Sequence, residues 1–477
     1  MKKKLFRFFV AVISLLAVVS ATACGGGNNS SGNGNGKTLL IVVREAGYGK
    51  WLDDIAEAYQ NETGTTVTIN YDPLIDSQMQ YMFVANDPQY DLYFCNNSAY
   101  LYKWTSKGYL YPITGIEDRV ADYIKDYGVI DGKRYVVDPM APAFGFVYNK
   151  TMVSQIESNG EFTKGTFPTT WQGLLDMCAS VRENGVNGDK TVKSFAYGGA
   201  TEDMDMVYKA LWAQGNGGAD FKAFLDCNDT VANFTNDSKK DVFVNDSIKN
   251  ALIALCNLFD SDGKKPQNTP DCLSISNTDA EQMLIDGKCV FAPTGAWFPL
   301  EMKGSLTGSS LDYGFANVSA LDATAQKTSL VNIPSEGFFI PASMEGKDEA
   351  VSFLQFMFRE DNCRKLHIKV NTPITGKYTL TESDQAQLSD WGKEVYKVAS
   401  ESKTIIKGSS NRIFINGSLG MYRDSSGANP INIFGYGHMY STRKSIFLDK
   451  IDKYIADNYA GYKAKWKDAR YGAGYVD

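Results

Sequence analysis

The sequence predicts an α/β protein of more than one domain, and three observations carry that expectation. Near the amino end, short apolar strands alternate with amphipathic helices, the order that builds a largely parallel sheet flanked by helices. The chain has 477 residues, and length alone sets an expectation of about two to three domains. Residues 130–150, IDGKRYVVDPMAPAFGFVYNK, join two β-rich runs through Pro139 and Pro142. Proline stops a helix and cannot donate to a central ladder. The stretch therefore reads as one bent strand passing between domains or as an ordinary strand–loop–strand, and local chemistry leaves both open.

The chain opens with Lys2, Lys3, Lys4 and Arg7, an apolar run over 8–19 too short to span a bilayer, and Ser20-Ala21-Thr22-Ala23 before Cys24. That order is an export signal. Ala21-Thr22-Ala23-Cys24 resembles the lipobox of bacterial lipoproteins, with Ala21 where Leu is usual. The resemblance implies cleavage before Cys24 and acylation of its thiol; the alternative is a plain signal peptide cut at the Ala-x-Ala. Residues 25–36, GGGNNSSGNGNG, hold nothing that forms a core and read as a flexible tether. Lasting attachment needs more than one acyl chain, which a diacyl lipoprotein anchor supplies. The expected division is thus a signal over 1–23 and a tether over 24–37.

Loss of the leader removes four basic residues and no acidic ones, leaving 44 Lys and Arg against 55 Asp and Glu. So acidic a chain is not built to bind nucleic acid or anionic lipid. Seven cysteines follow Cys24, at 95, 178, 227, 256, 272, 289 and 363, with no C-x-x-C spacing. Their odd number and apolar surroundings read as buried small hydrophobes rather than a disulfide framework.

Taken in order, 39–43 is a strand apolar on both faces, 51–63 a helix with Leu52, Ile55, Ala56 and Tyr59 on one face, and 66–71 a strand. An amphipathic stretch at 79–84, a buried strand at 90–94 and a helix at 100–107 follow. Asp131-Gly132 is a turn dipeptide suited to positive φ. Thr169 or Thr170 caps a helix through Leu174, Met177 and Val181. Strands are expected at 194–197, 312–318 and 336–341, and helices at 204–214, 248–259 and 348–358. Residues 286–297, DGKCVFAPTGAW, read as turn, strand and glycine-aromatic loop. The part after Trp391 reads as mainly helical with an aromatic loop at 434–440. Ligands of parallel sheets bind beyond the carboxyl ends of the strands, which here carry GYGKW and CNNS.

The succession DLYFCNNSAYLYKWTSKGYLYPI, DGKRYVVDPM…FVYNK, FPTTWQGLLDM, IDGKCVFAPTGAW and SEGFFIPASMEGKDEAVSFLQFMF resembles the extracellular solute-binding proteins of ABC importers. The likeness is to the large carbohydrate-binding group that includes maltose-binding protein, and it covers residues about 38 to 460. It implies a two-lobed periplasmic-binding-protein-like fold of type II, closing by hinge motion around a solute and delivering it to membrane permeases. On that plan the amino-terminal lobe is 38–141 plus 336–368 and the carboxyl-terminal lobe 142–335 plus 369–477, with crossovers at 139–145 and 335–341. Maltose-binding proteins have charged and aromatic sugar contacts where this chain has 95–99, CNNSA, and an acidic residue where it has Pro142. Those contacts do not carry over, whereas Trp297 of the GAW loop matches.

Sugars present apolar C–H faces and a rim of hydroxyls, met by flat aromatics and by amides or carboxylates. The candidate ligand contacts are Trp297, Tyr48 and Trp51, Asn96 and Asn97, Asp138, Tyr197, Asp203, and Tyr436 and Tyr440. Each has a bland alternative: Trp297 and Trp51 as core residues, the asparagines as helix caps, Asp203 as an acidic residue at a helix start. Cys24 is the lipidation site. No catalytic residue, metal ligand or cofactor is expected, and the partners are the solute, the permeases and the membrane, with the protein monomeric. The chain has no H-E-x-x-H and no G-x-S-x-G, and only His367 and His438. Two further readings stand beside sugar capture: a receptor for a polyamine, peptide or amino acid, and a tethered glycoside hydrolase using two carboxylates.

Overall fold

The computed structural model describes residues 36–44, 49–96, 101–199, 203–225, 237–238, 240–259, 268–269, 272, 274–321, 328–331, 336–406, 448–453, 455–457, 459–460 and 463–464. β1 (Thr38–Val43), the helix Asp53–Thr63 and β2 (Thr66–Tyr71) make the first strand–helix–strand unit, and the helix Ile75–Ala85 leads to β3 (Leu92–Asn96). β1 runs parallel to both neighbours, and its Ile41, Val42 and Val43 are fully buried. β4 (Leu110–Tyr111) precedes a hairpin of β5 (Val129–Ile130) and β6 (Lys133–Arg134), turned at Asp131 and Gly132 with φ 50° and 75°.

β7 (Ala143–Asn149) enters the second half of the molecule. Thr170 caps the helix Trp171–Asn184, its hydroxyl accepting from the Gly173 N–H at 3.0 Å. β8 (Lys193–Phe195), β9 (Cys289–Gly295), β10 (Tyr313–Asn317) and β11 (Thr328–Val331) follow. β12 (Glu336–Pro341) returns to the first sheet, and β13 (Lys403–Ile406) completes the second.

The sheets have the orders β2-β1-β3-β12-β4 and β13-β11-β7-β9-β8, with β10 also on β7. Both are mixed, and the reversed strands have a common cause. Strands of strand–helix–strand units run toward the edge where the two lobes face each other. A strand arriving from the other lobe must start at that edge and run away from it. β7 begins there, Phe144 pairing with Gly295 at the end of β9, and β12 begins there, Glu336 pairing with Asn96 at the end of β3.

Buried apolar side chains form two separate clusters. One draws on residues 39–141 and 338–374; the other on 143–318 together with Trp391, Val395, Ile451, Ile455 and Tyr459. Ala141 belongs to the first and Ala143 to the second, so Pro142 lies between the two cores. The strand approaching it is held on both sides. Val137 exchanges backbone hydrogen bonds with Phe338 at 3.1 and 2.7 Å, while Ala141 donates to the Pro373 carbonyl and Thr375 to that of Pro139, each at 2.8 Å. Residues 372–376 are therefore a further strand-like segment beside the crossing, and Val370 and Ile374 still pack in the first core.

Among the described residues Cys95, Cys178, Cys256, Cys272, Cys289 and Cys363 are buried; Cys227 lies outside them. Burial pushes the Cys178 and Cys363 thiols up to about 12, which leaves them unreactive at neutral pH.

Candidate functional site

The edge where β3, β9 and β11 end and β7 and β12 begin is the place at which both sheets can present loops to one ligand. On the second lobe it carries the glycine-aromatic loop Gly295-Ala296-Trp297. The Ala296 N–H donates to the carbonyl of Ala143, the first residue of β7, at 2.8 Å. The Trp391 indole donates to the Ala296 carbonyl at 3.1 Å. One residue earlier, the Thr294 hydroxyl donates to the buried Glu281 carboxylate at 2.5 Å. Trp297 itself is half-buried and leads into the short helix Phe298–Glu301, with Pro299 in its first turn. A loop satisfied at this many backbone and side-chain groups holds its aromatic in place before any ligand arrives.

Two other candidates, Trp51 and Tyr197, land inside the cores, which for Trp51 is the core alternative the sequence left open. Trp51 is 1% exposed, edge-on to Phe94 at 5.3 Å and tilted against Phe338 at 6.0 Å. Its place just before the helix Asp53–Thr63 seals that helix to the sheet. Tyr197 is also 1% exposed, edge-on to Phe259 at 5.4 Å, with its N–H directed at the Cys272 sulfur at 3.3 Å. Its hydroxyl finds no hydrogen-bond partner among the described residues, and burial drives the phenol well above its ordinary range. Both residues follow strand ends, as the sequence suggested, but their rings turn inward.

Asp138 lies on the crossing strand, 2% exposed. Its carboxylate accepts from the Met140 N–H at 2.9 Å, and its carbonyl accepts from the Thr375 hydroxyl at 2.5 Å. Burial holds the carboxyl well above the usual range, and its charge in turn raises the phenols of Tyr123 and Tyr127 beyond what their own burial does. Asn96 closes β3 at the facing edge and Asp203 opens the helix Asp203–Gln214; their side chains lie outside the described part of the structure. Tyr48, Asn97, Tyr436, Tyr440 and Cys24 lie outside the described residues altogether.

The same edge of the first lobe carries charges that residue patterns did not single out. Arg44, the residue after β1, pairs with Glu336 at the start of β12 and with Asp76 at 2.9 Å. The signal for it was its position directly after a buried strand. A cavity of about 650 Å³ lies where the two lobes meet, lined by Tyr123, His367, Tyr378 and Tyr396 among others, and none of the expected ligand contacts lines it.

The profile of the family described as bacterial extracellular solute-binding protein matches residues 44–362. Comparison with curated proteins found no match. Among solved structures, the apo form of RafE from Streptococcus pneumoniae is similar with a TM-score of 0.62 and 15% identity, over 90% of this chain and 100% of that one. RafE in complex with raffinose gives 0.58 and 14%, over 88% and 99%. A chitin oligosaccharide binding protein gives 0.58 and 14%, over 89% and 99%. These likenesses establish the fold, and the family match runs through both sheets and the crossings between them. The chain belongs to the bacterial extracellular solute-binding proteins.

Proposed function

We propose that this protein is the capture subunit of an ABC importer, taking a carbohydrate, in particular an oligosaccharide, between its lobes and presenting it to membrane permeases. The observation that carries the reading is the half-buried Trp297 on a braced loop at the edge shared by both lobes. An indole there offers a flat apolar face of the kind that sugar rings stack on. The similar structures support the class: one is a complex with raffinose and another a chitin oligosaccharide binding protein. The family consists of binding proteins, and this chain captures its solute rather than cleaving it. The lobes divide as 38–141 with 336–368 and 142–335 with 369–477, except that the second boundary falls later than 368, because Val370 and Ile374 pack in the first core. After loss of residues 1–23 the protein acts as a monomer outside the cell, held to the membrane by lipid on Cys24 through the 24–37 tether.

A thermal-shift screen with raffinose, chitin oligosaccharides, polyamines, peptides and amino acids tests the reading, since a ligand that binds only the folded state raises the midpoint. Raffinose or another oligosaccharide should raise it, and Trp297→Ala should cost about 1–3 kcal/mol of binding. A shift with polyamines or peptides and with no saccharide would overturn the carbohydrate class. Cleavage products after incubation with the oligosaccharides would overturn capture without catalysis.

A further inference from the structure

The last passage of the chain between the lobes comes well after the helix Glu360–Val370. Cys363, Leu366 and Val370 of that helix pack in the first core, and Lys369 pairs with Asp54 of the first lobe at 2.6 Å. The residues that follow stay on the same lobe. Ala121 donates to the Thr375 carbonyl at 2.7 Å and Lys377 to that of Arg119 at 2.6 Å. Asp384, in the short helix Glu382–Gln387, pairs with Arg364 at 3.6 Å. Trp391 and Val395, on the helix Asp390–Glu401, already belong to the second core. The chain therefore changes lobes across residues 388–390.

One side chain joins the two helices at that point. Asn371 ends the helix Glu360–Val370 in the left-handed region, with φ 51°. Its Oδ1 accepts from the Ser389 N–H at 3.0 Å and from the Ser389 hydroxyl at 2.9 Å. Ser389 in turn caps the second-lobe helix, its hydroxyl oxygen accepting from the Gly392 N–H at 3.0 Å. Gly392 is buried against the same amide. A Cβ on it would overlap Oδ1 and lie 3.1 and 3.2 Å from Cγ and Cβ of Asn371. Turning the amide aside would break both Ser389 bonds and leave the Asn371 Cβ in the way. Added bulk at 392 is therefore relieved by moving one helix away from the other.

We propose that Asn371, Ser389 and Gly392 form the joint that sets the resting angle between the lobes, and that this angle sets the affinity for the solute. The angle half stands on the contacts above; the affinity half rests on the capture reading. The place of the joint gives the sign. Residues 139–141 pair with 373–375 on one flank, while on the other Val137 pairs with β12, beyond which lie β3 and β1. The ends of β1 and β3 that face the second lobe are thus across the crossing from the joint. Bulk at the joint parts the lobes on its own flank and tips those ends together. A protein that rests nearer its closed state binds more tightly, because a larger fraction is already competent to bind.

The test uses the mature chain with Cys24→Ser and Cys227→Ser, spin-labelled at the exposed positions Lys103→Cys in the first lobe and Lys303→Cys in the second. Without any ligand, Gly392→Ala should shorten the distance between the labels. Its affinity for the saccharide that raises the melting midpoint, raffinose first, should rise about fivefold. Asn371→Gly suits the positive φ and removes the amide. By itself it should broaden the distance distribution, and combined with Gly392→Ala it should erase both effects of the alanine. An unchanged or longer distance in folded Gly392→Ala would overturn the joint, whatever binds, as would an unchanged width in Asn371→Gly. A shortening of the same size in both backgrounds would place its cause elsewhere and overturn the joint as well. A shorter distance with unchanged or weaker affinity would leave the angle standing and overturn its link to capture. If no saccharide binds any form, the carbohydrate reading falls and the distances alone decide the joint.

Discussion

His367 and Asp138 are buried titratable side chains whose burial acts on stability in opposite directions. His367 is fully buried; one ring nitrogen meets the Tyr378 hydroxyl at 2.6 Å, and burial lowers its pKa to about 4. The unfolded chain takes up that proton near pH 6.5 and the folded one only near 4. Stability is therefore full above the upper value and falls as pH drops through the window, by about 3 kcal/mol for this group. Urea unfolding between pH 7 and 4 should show a shallower decline for His367→Gln than for the natural protein; parallel curves would count against it. Asp138 has the reverse sign. Its folded pKa is raised, so the unfolded state ionises first as pH climbs past about 4, and the buried acid costs stability at neutral pH. Asp138→Asn, which retains an acceptor for the Met140 N–H, should melt higher at pH 7 and match the natural protein at pH 3. A lower midpoint at pH 7 would refute this. Loss of affinity for the oligosaccharide that raises the melting midpoint, in that more stable variant, would mark Asp138 as a group kept for function at the expense of stability.

At the scale of elements, β7 ties the second lobe together because it pairs with β9, β10 and β11 and begins at the crossing. Its Gly145 faces the carbonyl of Ala316 so closely that a Cβ would overlap that oxygen. Gly145→Ala should force β10 away and cost about 1–3 kcal/mol in urea unfolding; a loss under about 0.5 kcal/mol would show that β10 yields freely. The residue pattern made the first unit legible: β2 spans the expected 66–71 and β12 the expected 336–341. Strong apolar alternation bounded by turn residues gives local physics enough to decide. β11 and β13, TSLV and KTII, escaped notice. Four residues that pair only with distant strands carry no period of their own. The helix Glu360–Val370 was missed because its apolar face is thin, with Cys363, Leu366 and Val370 buried among charged neighbours.

For the whole molecule, two separate cores joined by crossing segments make relative motion of the lobes the expected response to a ligand. Small-angle scattering should show the radius of gyration falling when raffinose, or whichever oligosaccharide raises the midpoint, is added to the natural protein. Trp297→Ala should need more ligand for the same change. Saturated binding with an unchanged radius would refute closure. In the first crossing, residues 137–141 are laced on one side to β12 and on the other to 372–376, which leaves Pro142 as the first residue beyond that bracing.

The sequence by itself determined the α/β order, the turn at Asp131-Gly132, a threonine cap at 169 or 170 and the presence of a glycine-aromatic loop after β9. These rest on neighbours a few residues apart, where φ preferences, caps and apolar period act directly. Only the tertiary structure decided which aromatics turn into the cores and which stay partly exposed. Trp51, Tyr197 and Trp297 all follow strand ends, yet Phe94 and Phe259 take the first two inward. Trp297 stays half-buried because its bracing comes from Ala143, Glu281 and Trp391, and the last lies 95 residues from the carbonyl it holds. Contacts at that separation are absent from any local pattern, since which surface an aromatic finds depends on the partners that folding brings beside it.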